Sequence, residues 1–230
     1  TLRAPLSLSL QRSAMFAKLD AETAAETLHE LEPELQVELL EDLPAPRASE
    51  ILEQMPADEA ADVLGDLEGG HARDLVQRME KEAADEVTEL LVHDDDTAGG
   101  LMGTGYVTFP PRLSVGEAIG RLRPIARQEE EAVLVTLYVV DERGKLLGVL
   151  SVRELLAASD EETLEGVMTT SVRSVTPDVA ADEVGDLMSR YDLLALPVTD
   201  PEGILVGIIT LDDVVERLNP NARARRRRRG

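Results

Sequence analysis

The chain has 230 residues with 46 acidic against 23 basic side chains, a formal net charge of −23, and this excludes a nucleic-acid binder because phosphate recognition needs a basic surface. Aromatic residues make up 2% and Cys is absent, which removes stacking platforms for bases, disulfides, thiolate metal sites and cysteine nucleophiles. A hydrophobic content of 43% suffices for a buried core in one large domain or two small ones.

Residues 1–18 form an N-terminal extension that begins TLRAPLSLSLQRS, without the apolar region and cleavage site of a secretory signal. No run of about 18 uncharged apolar residues occurs in the sequence, so a cytoplasmic protein is expected. His29, His71 and His93 stand too far apart for zinc-ligand or triad spacing. Any metal site must therefore use oxygen ligands.

From residue 19 to 96 a 12-residue repeat runs without a slip, anchored on Leu19, Leu31, Leu43, Met55, Leu67, Met79 and Leu91. Three positions before an anchor stand Leu28, Leu40, Leu52, Leu64, Val76 and Thr88, and seven before stand Ala24, Gln36, Ala48, Ala60, Ala72 and Ala84. This spacing predicts one short amphipathic helix per repeat, with connectors marked by Pro33, Pro44, Pro46, Pro56, Gly69 and Gly70. Helices this short are unstable alone, so the units must stack into an all-α superhelix.

A second column, Glu26, Glu38, Glu50, Asp62, Asp74 and Glu86, is acidic throughout, and residues 19–96 hold 25 acids against four bases. It reads either as a solvated face or as a stripe awaiting a cation, since surfaces built for solubility usually mix both signs. The segment HDDDTAGGLM at 93–102 closes this half. Its three Asp suit a hard cation or helix capping and linkage equally.

Beyond Leu101 strands and helices alternate, and the pattern repeats once: Met102 aligns with Met168, Gly144 with Gly203, Gly148 with Gly207 and Ser151 with Thr210. Each copy reads strand, helix, strand, tight turn, strand, helix, with VLVTLYVV, KLLGVL, LALPVT and ILVGII as buried strands. The first copy carries seven extra residues around Arg127 to Glu131. The tight turns are Asp141-Glu142-Arg143-Gly144 and Asp200-Pro201-Glu202-Gly203.

The signature Gly, two apolar residues, Ser or Thr, two variable residues and an acid occurs at 148–154 and 207–213, and resembles the close of a cystathionine-β-synthase-type (CBS) domain. Acidic helical repeats, then TAGGLM, then two such domains make the chain similar to the cytosolic part of the MgtE family of magnesium transporters, or to a stand-alone soluble homologue of it. The resemblance implies a multi-domain α and α+β fold: a short-helix superhelical repeat domain at 19–96, CBS domains at 97–160 and 161–219, and an Arg-rich tail at 220–230. It further implies a Mg²⁺-sensing module in which ions bridge the two acidic parts. Family metal positions fall on Glu26, Asp58 and Asp62, and on Asp192, Asp213 and Glu216; one more falls on Ala180, which has no ligating atom. Asp58 also reads as a helix N-cap after Pro56, and Asp192 as a turn acid before LLALPV.

The same family binds ATP in its CBS module. Here Ser151, Arg153 and Glu154, with Thr210 and Asp213, stand where an acid after a strand would accept ribose hydroxyls beside a phosphate-attracting helix start. Thr136 and Leu193 replace the aromatics that flank the adenine. The resemblance also implies a homodimer through the CBS domains and a transmembrane transport domain or membrane partner. In the tail, Leu218-Asn219-Pro220 breaks the helix, and Arg223 and five consecutive Arg before Gly230 read as a solubilising tail or a juxtamembrane segment. No nucleophile–base pair or phosphate-cradling loop appears, so an enzyme is not expected. The functional readings are a Mg²⁺ sensor and an adenine-nucleotide-sensing module whose helical half binds a partner protein.

Overall fold

The computed structural model describes residues 8–128 and 136–218, which divide into two units at the His93/Asp94 junction. The first unit is all helical: α1 (Leu8–Phe16), α2 (Ala21–His29), α3 (Pro33–Asp42), α4 (Ala45–Leu52), α5 (Ala57–Asp66), α6 (Gly69–Val76) and α7 (Lys81–Leu90). From α2 onward the starts fall 12 residues apart, at 21, 33, 45, 57, 69 and 81, as the repeat predicts. Helix α1 lies inside the extension, where the repeat predicted nothing, and packs on α3.

The residues placed in the connectors are in fact helix starts. Pro33 and Gly69 are the first residues of α3 and α6, Pro46 is the second of α4, and Pro44 and Pro56 are N-caps. A helix start leaves its first N–H groups unpaired, so a residue lacking one loses nothing there and its fixed φ is already helical.

Packing doubles the repeat. Each helix packs on the next but one, so α1, α3, α5 and α7 form one row and α2, α4 and α6 another. The connectors create the alternation: α3 and α5 stop at Leu43 and Leu67, whose extended backbones (ψ 150° and 153°) turn the chain within two residues. By contrast, α2, α4 and α6 close on Glu30, Glu53 and Gln77 in helical conformation and use three or four residues. Leu43 is held extended partly by Pro44, which disfavours helical backbone in the residue before it.

Leu28, Leu40, Leu52 and Leu64 are at most 1% exposed, and truncating any one to Ala removes about 2–5 kcal/mol by lost transfer energy and cavity formation. The few buried polar groups close backbone ends of neighbouring helices. Gln36 Nε2 donates to the carbonyls of Leu28 (2.9 Å) and His29 (3.3 Å) at the end of α2, and Ser49 Oγ donates to Leu75 O at 2.9 Å in the last turn of α6. The Glu80 N–H donates to Glu53 Oε1 at 2.7 Å, capping the start of α7.

The second unit begins with α8 (Ala98–Leu101), then β1 (Thr108–Phe109), α9 (Val115–Gln128), β2 (Thr136–Val140), β3 (Leu146–Ser151) and α10 (Val152–Ala157). The chain continues through α11 (Leu164–Val167), α12 (Ala181–Tyr191), β4 (Ala195–Thr199), β5 (Leu205–Thr210) and α13 (Leu211–Leu218). Strand β1 pairs parallel with β2, which pairs antiparallel with β3; β4 pairs antiparallel with β5. The first strand of each copy is short: β1 has two residues, and its counterpart is a single parallel bridge from Val175 to Val198. Pro110 and Pro111 follow β1, and Pro177 follows Val175 by two, so neither run has the N–H groups to extend its ladder. Part of the seven-residue insertion, and residues 133–135 of VLVTLYVV, lie outside the described residues.

Both turns close as predicted, with Gly144 at φ 81° and Gly203 at φ 84°. Asp141 Oδ1 accepts from the N–H of Arg143 (2.8 Å) and Lys145 (2.9 Å), and Asp200 Oδ1 from Glu202 (3.0 Å) and Ile204 (2.8 Å). The turns also bond to each other, Leu146 N to Gly203 O and Leu205 N to Gly144 O, both at 3.0 Å.

The two copies exchange their opening segments. Gly103 bridges Ile208 on β5 and Thr169 bridges Val149 on β3, each antiparallel. Met102 therefore lies on Gly207 and Met168 on Gly148, so close that a Cβ on either glycine would sit 2.6 Å or 2.5 Å from the methionine sulfur. Tyr138, Leu205 and Ile208 form the core between the copies, with Tyr106 edge-on to Tyr138 and its hydroxyl donating to Leu205 O at 3.2 Å. Gly148→Ala and Gly207→Ala are each expected to cost about 1–3 kcal/mol in denaturant unfolding by overpacking this crossing. Gly120→Ala, where nothing lies within 4 Å of the added methyl, should instead gain about 0.5–1 kcal/mol from helix entropy.

Candidate metal and nucleotide sites

In the helical unit Glu26 is exposed on α2, Asp62 is exposed on α5, and Asp58 is half-buried in the first turn of α5. Pro56 itself holds the cap position of α5, so Asp58 is the second residue of the helix, where the positive end of the dipole favours a carboxylate. Side chains of α2 and α5 meet near these residues: His29 Nδ1 lies 2.7 Å from Oε2 of Glu59, the residue after Asp58.

The acidic column is not a single stripe. Alternate members fall on alternate helix rows, and three have arginine partners: Glu38 with Arg12 (3.0 Å), Glu50 with Arg47 (2.9 Å) and Asp74 with Arg78 (2.9 Å). The hydrogen bond from Arg78 holds the Asp74 carboxyl below the usual aspartate range. Part of the cationic relief that the column requires is thus built into the fold.

In the second unit Asp192 closes α12 in the left-handed conformation (φ 50°, ψ 43°), with its N–H donating to Met188 O. Among the described residues it is the one non-glycine residue with positive φ, a conformation that Asp tolerates better than most. Asp213 lies in the first turn of α13, and the Leu211 N–H donates to Leu194 O at 3.0 Å. That bond brings the Asp192 turn and the α13 start together. Glu216 belongs to α13, but its side chain lies outside the described residues.

The nucleotide candidates are built as two equivalent capping boxes. Glu154 Oε2 accepts from Ser151 N (2.9 Å) and Oγ (2.6 Å), while the Glu154 N–H donates to Ser151 Oγ at 3.2 Å. Asp213 Oδ2 accepts from Thr210 N (2.6 Å) and Oγ1 (2.8 Å), with the Asp213 N–H returning to Thr210 Oγ1 at 3.4 Å. Arg153 is exposed beside the first box. Ser114 and Glu117 form a third box at α9, and its Ser-x-x-Glu spacing is legible in the sequence. Of the three consecutive Asp, Asp94 Oδ1 accepts from Asp96 N at 3.0 Å, Thr97 Oγ1 donates to Asp94 O at 2.7 Å, and Asp96 pairs with Arg217.

Among the described residues no three His, Cys, Asp or Glu side chains converge into a metal cage, and no helix is long and apolar enough to cross a membrane. The donors present are all carboxylates, and these fit Mg²⁺, which keeps several waters and takes one or two carboxylates at a time.

Residues 8–96 match the MgtE intracellular N domain, and residues 98–161 and 164–220 match the CBS domain. The magnesium transporter MgtE of Thermus thermophilus is 42% identical over 137 residues, 60% of this chain and 30% of that protein. The chain therefore spans less than a third of that transporter. Two solved structures cover nearly all of it: the soluble part of a magnesium transporter (28% identity, TM-score 0.84, 93% of this chain and 84% of that one); and the cytosolic domain of the Mg²⁺ channel MgtE in complex with ATP (37% identity, TM-score 0.82, 91% and 85%).

The Ser151 hydroxyl and N–H hold the Glu154 carboxyl below its ordinary value, so this cap stabilises the fold fully above the unfolded glutamate pKa of about 4.3 and is lost as pH falls through the lower folded value. Ser151→Ala is expected to cost about 0.5–2 kcal/mol at neutral pH. The gap in Tm between wild type and Glu154→Gln should narrow as the pH is lowered through that window.

Proposed function

Because the chain belongs to the MgtE family, with its intracellular N domain and tandem CBS domains matching the cytosolic part of MgtE, we propose that it is a non-enzymatic Mg²⁺-sensing regulatory module. The observation that carries the reading is the acid excess of the helical unit, 22 carboxylates against four bases in residues 19–93. Two such acidic units repel when they approach, and screening by monovalent salt weakens this only beyond a Debye length of about 10 Å at 0.1 M. A hydrated Mg²⁺ places two charges between carboxylates without needing a full cage from either side. Glu26, Asp58 and Asp62 on the helical unit, and Asp192, Asp213 and Glu216 on the second CBS copy, are the residues assigned to hold it. Bound ions bridge the units and favour a closed form; their loss releases it.

The module acts on a membrane transport domain from the cytosolic side, as expected for a chain whose relative is a magnesium transporter. It pairs with a second copy through the CBS domains. Leu156 on α10 and Val215 on α13 occupy equivalent positions in the two copies and are 67% and 45% exposed, apolar side chains that a two-fold partner would cover. Sedimentation equilibrium should give a dimer for wild type and a monomer for the Leu156→Glu, Val215→Glu double variant; a wild-type monomer removes the pairing.

A second reading rests on the similar channel domain solved with ATP: Ser151, Arg153, Glu154, Thr210 and Asp213 bind an adenine nucleotide, the arginine meeting phosphate. One titration separates the two. Millimolar Mg²⁺, against NaCl at matched ionic strength, is expected to lower the radius of gyration in small-angle X-ray scattering, and Asp58→Asn with Asp62→Asn should abolish the change. An envelope indifferent to Mg²⁺ would sink the sensor reading; calorimetric binding of ATP that Arg153→Ala weakens would then support the nucleotide one.

A further inference from the structure

The segment that enters the second unit is seated on the second CBS copy, not on the copy it leads into. Thr97 bridges Ala180, Ala98 N donates to Val179 O at 2.7 Å, Gly99 N to Pro177 O at 2.9 Å, and Ala181 N to Asp96 O at 2.9 Å. The chain then continues along β5 through the Gly103–Ile208 bridge. Gly100 lets the entering turn close on itself, because a Cβ there would collide with the Asp94 backbone carbonyl. From this fixed turn the Asp96 carboxylate reaches Arg217 in the last turn of α13.

Entry and exit of the second unit are therefore joined by one side-chain pair. We infer that the Asp96–Arg217 pair is a conformational joint, coupling the segment that follows the helical unit to α13, so that strain applied at the His93/Asp94 junction reaches α13 and the second copy directly. The backbone bonds of residues 96–99 supply the rigid half of the joint. The ion pair supplies the labile half: Asp96 is 77% and Arg217 41% exposed, and pairs this open are weak and salt-sensitive, which suits a contact made and broken during regulation. Arg217 also offsets the run Asp94, Asp95 and Asp96, so removing it leaves like charges adjacent at the entry.

The inference does not depend on Mg²⁺, and its test is run on the intact chain in EDTA. Amide hydrogen exchange followed by mass spectrometry should show residues 211–218 and 98–101 exchanging several-fold faster in Asp96→Asn and in Arg217→Gln, with β2 and β3 unchanged. High salt should reproduce the effect in wild type, and Arg217→Lys should keep the wild-type rates. The charge-swapped double variant, Asp96→Arg with Arg217→Asp, should restore protection in both segments. Wild-type exchange of α13 in either single variant, or a charge swap that fails to restore it, overturns the joint. Failure of the Mg²⁺ titration would leave this outcome untouched.

Discussion

Each CBS copy gives its opening segment to the other copy's sheet, and the fit of Met102 on Gly207 and of Met168 on Gly148 makes that exchange possible. Only glycine leaves room for a strand to approach β3 or β5 so closely, and only a long unbranched side chain fills the space across it. The crossing ties the copies at two symmetric points, and the mutual bonds of the Gly144 and Gly203 turns tie them at a third. The pair thus behaves as one unit with a shared core around Tyr138, Leu205 and Ile208. It also explains why the chain entering at Asp94 meets the second copy first.

The helical unit solves a related problem with different means. No helix of eight to ten residues is stable by itself, and stacking each on the next but one buries the leucine column while leaving many helix ends close together. Those ends carry unpaired backbone groups, which are costly when buried. Gln36, Ser49 and Glu53 answer them from neighbouring helices. Gln36 stands in the column otherwise filled by alanine, and its amide replaces missing helix continuation at the end of α2.

Electrostatics then divides between structure and function. The CBS signature acids Glu154 and Asp213 hold their own helix starts through capping boxes, so their carboxylates stabilise the fold whatever ligand they meet. Three members of the acidic column are balanced by Arg12, Arg47 and Arg78. The acid excess that remains is spread over two helix rows.

Sequence pattern sufficed for the 12-residue spacing of the helices, the leucine core, the tandem duplication and the two glycine turns, because each depends on interactions within a dozen residues or on burial of one face, but it misplaced the helix starts as connectors. The signature spacing likewise marked Ser151, Glu154, Thr210 and Asp213, which lie at the starts of α10 and α13. Other features depended on tertiary contacts between residues far apart in the chain. The doubling of the helical repeat came from how connectors of two and of three or four residues aim successive helices, and the helicity of Leu8–Phe16 from packing on α3. The exchange of Met102 and Met168 between copies, and the pairing of Asp96 with Arg217, join positions about a hundred residues apart or exchange equivalent ones. A sequence repeat cannot distinguish a residue's own copy from its twin; only the closed fold, where one arrangement satisfies both sheets without a clash, makes that choice.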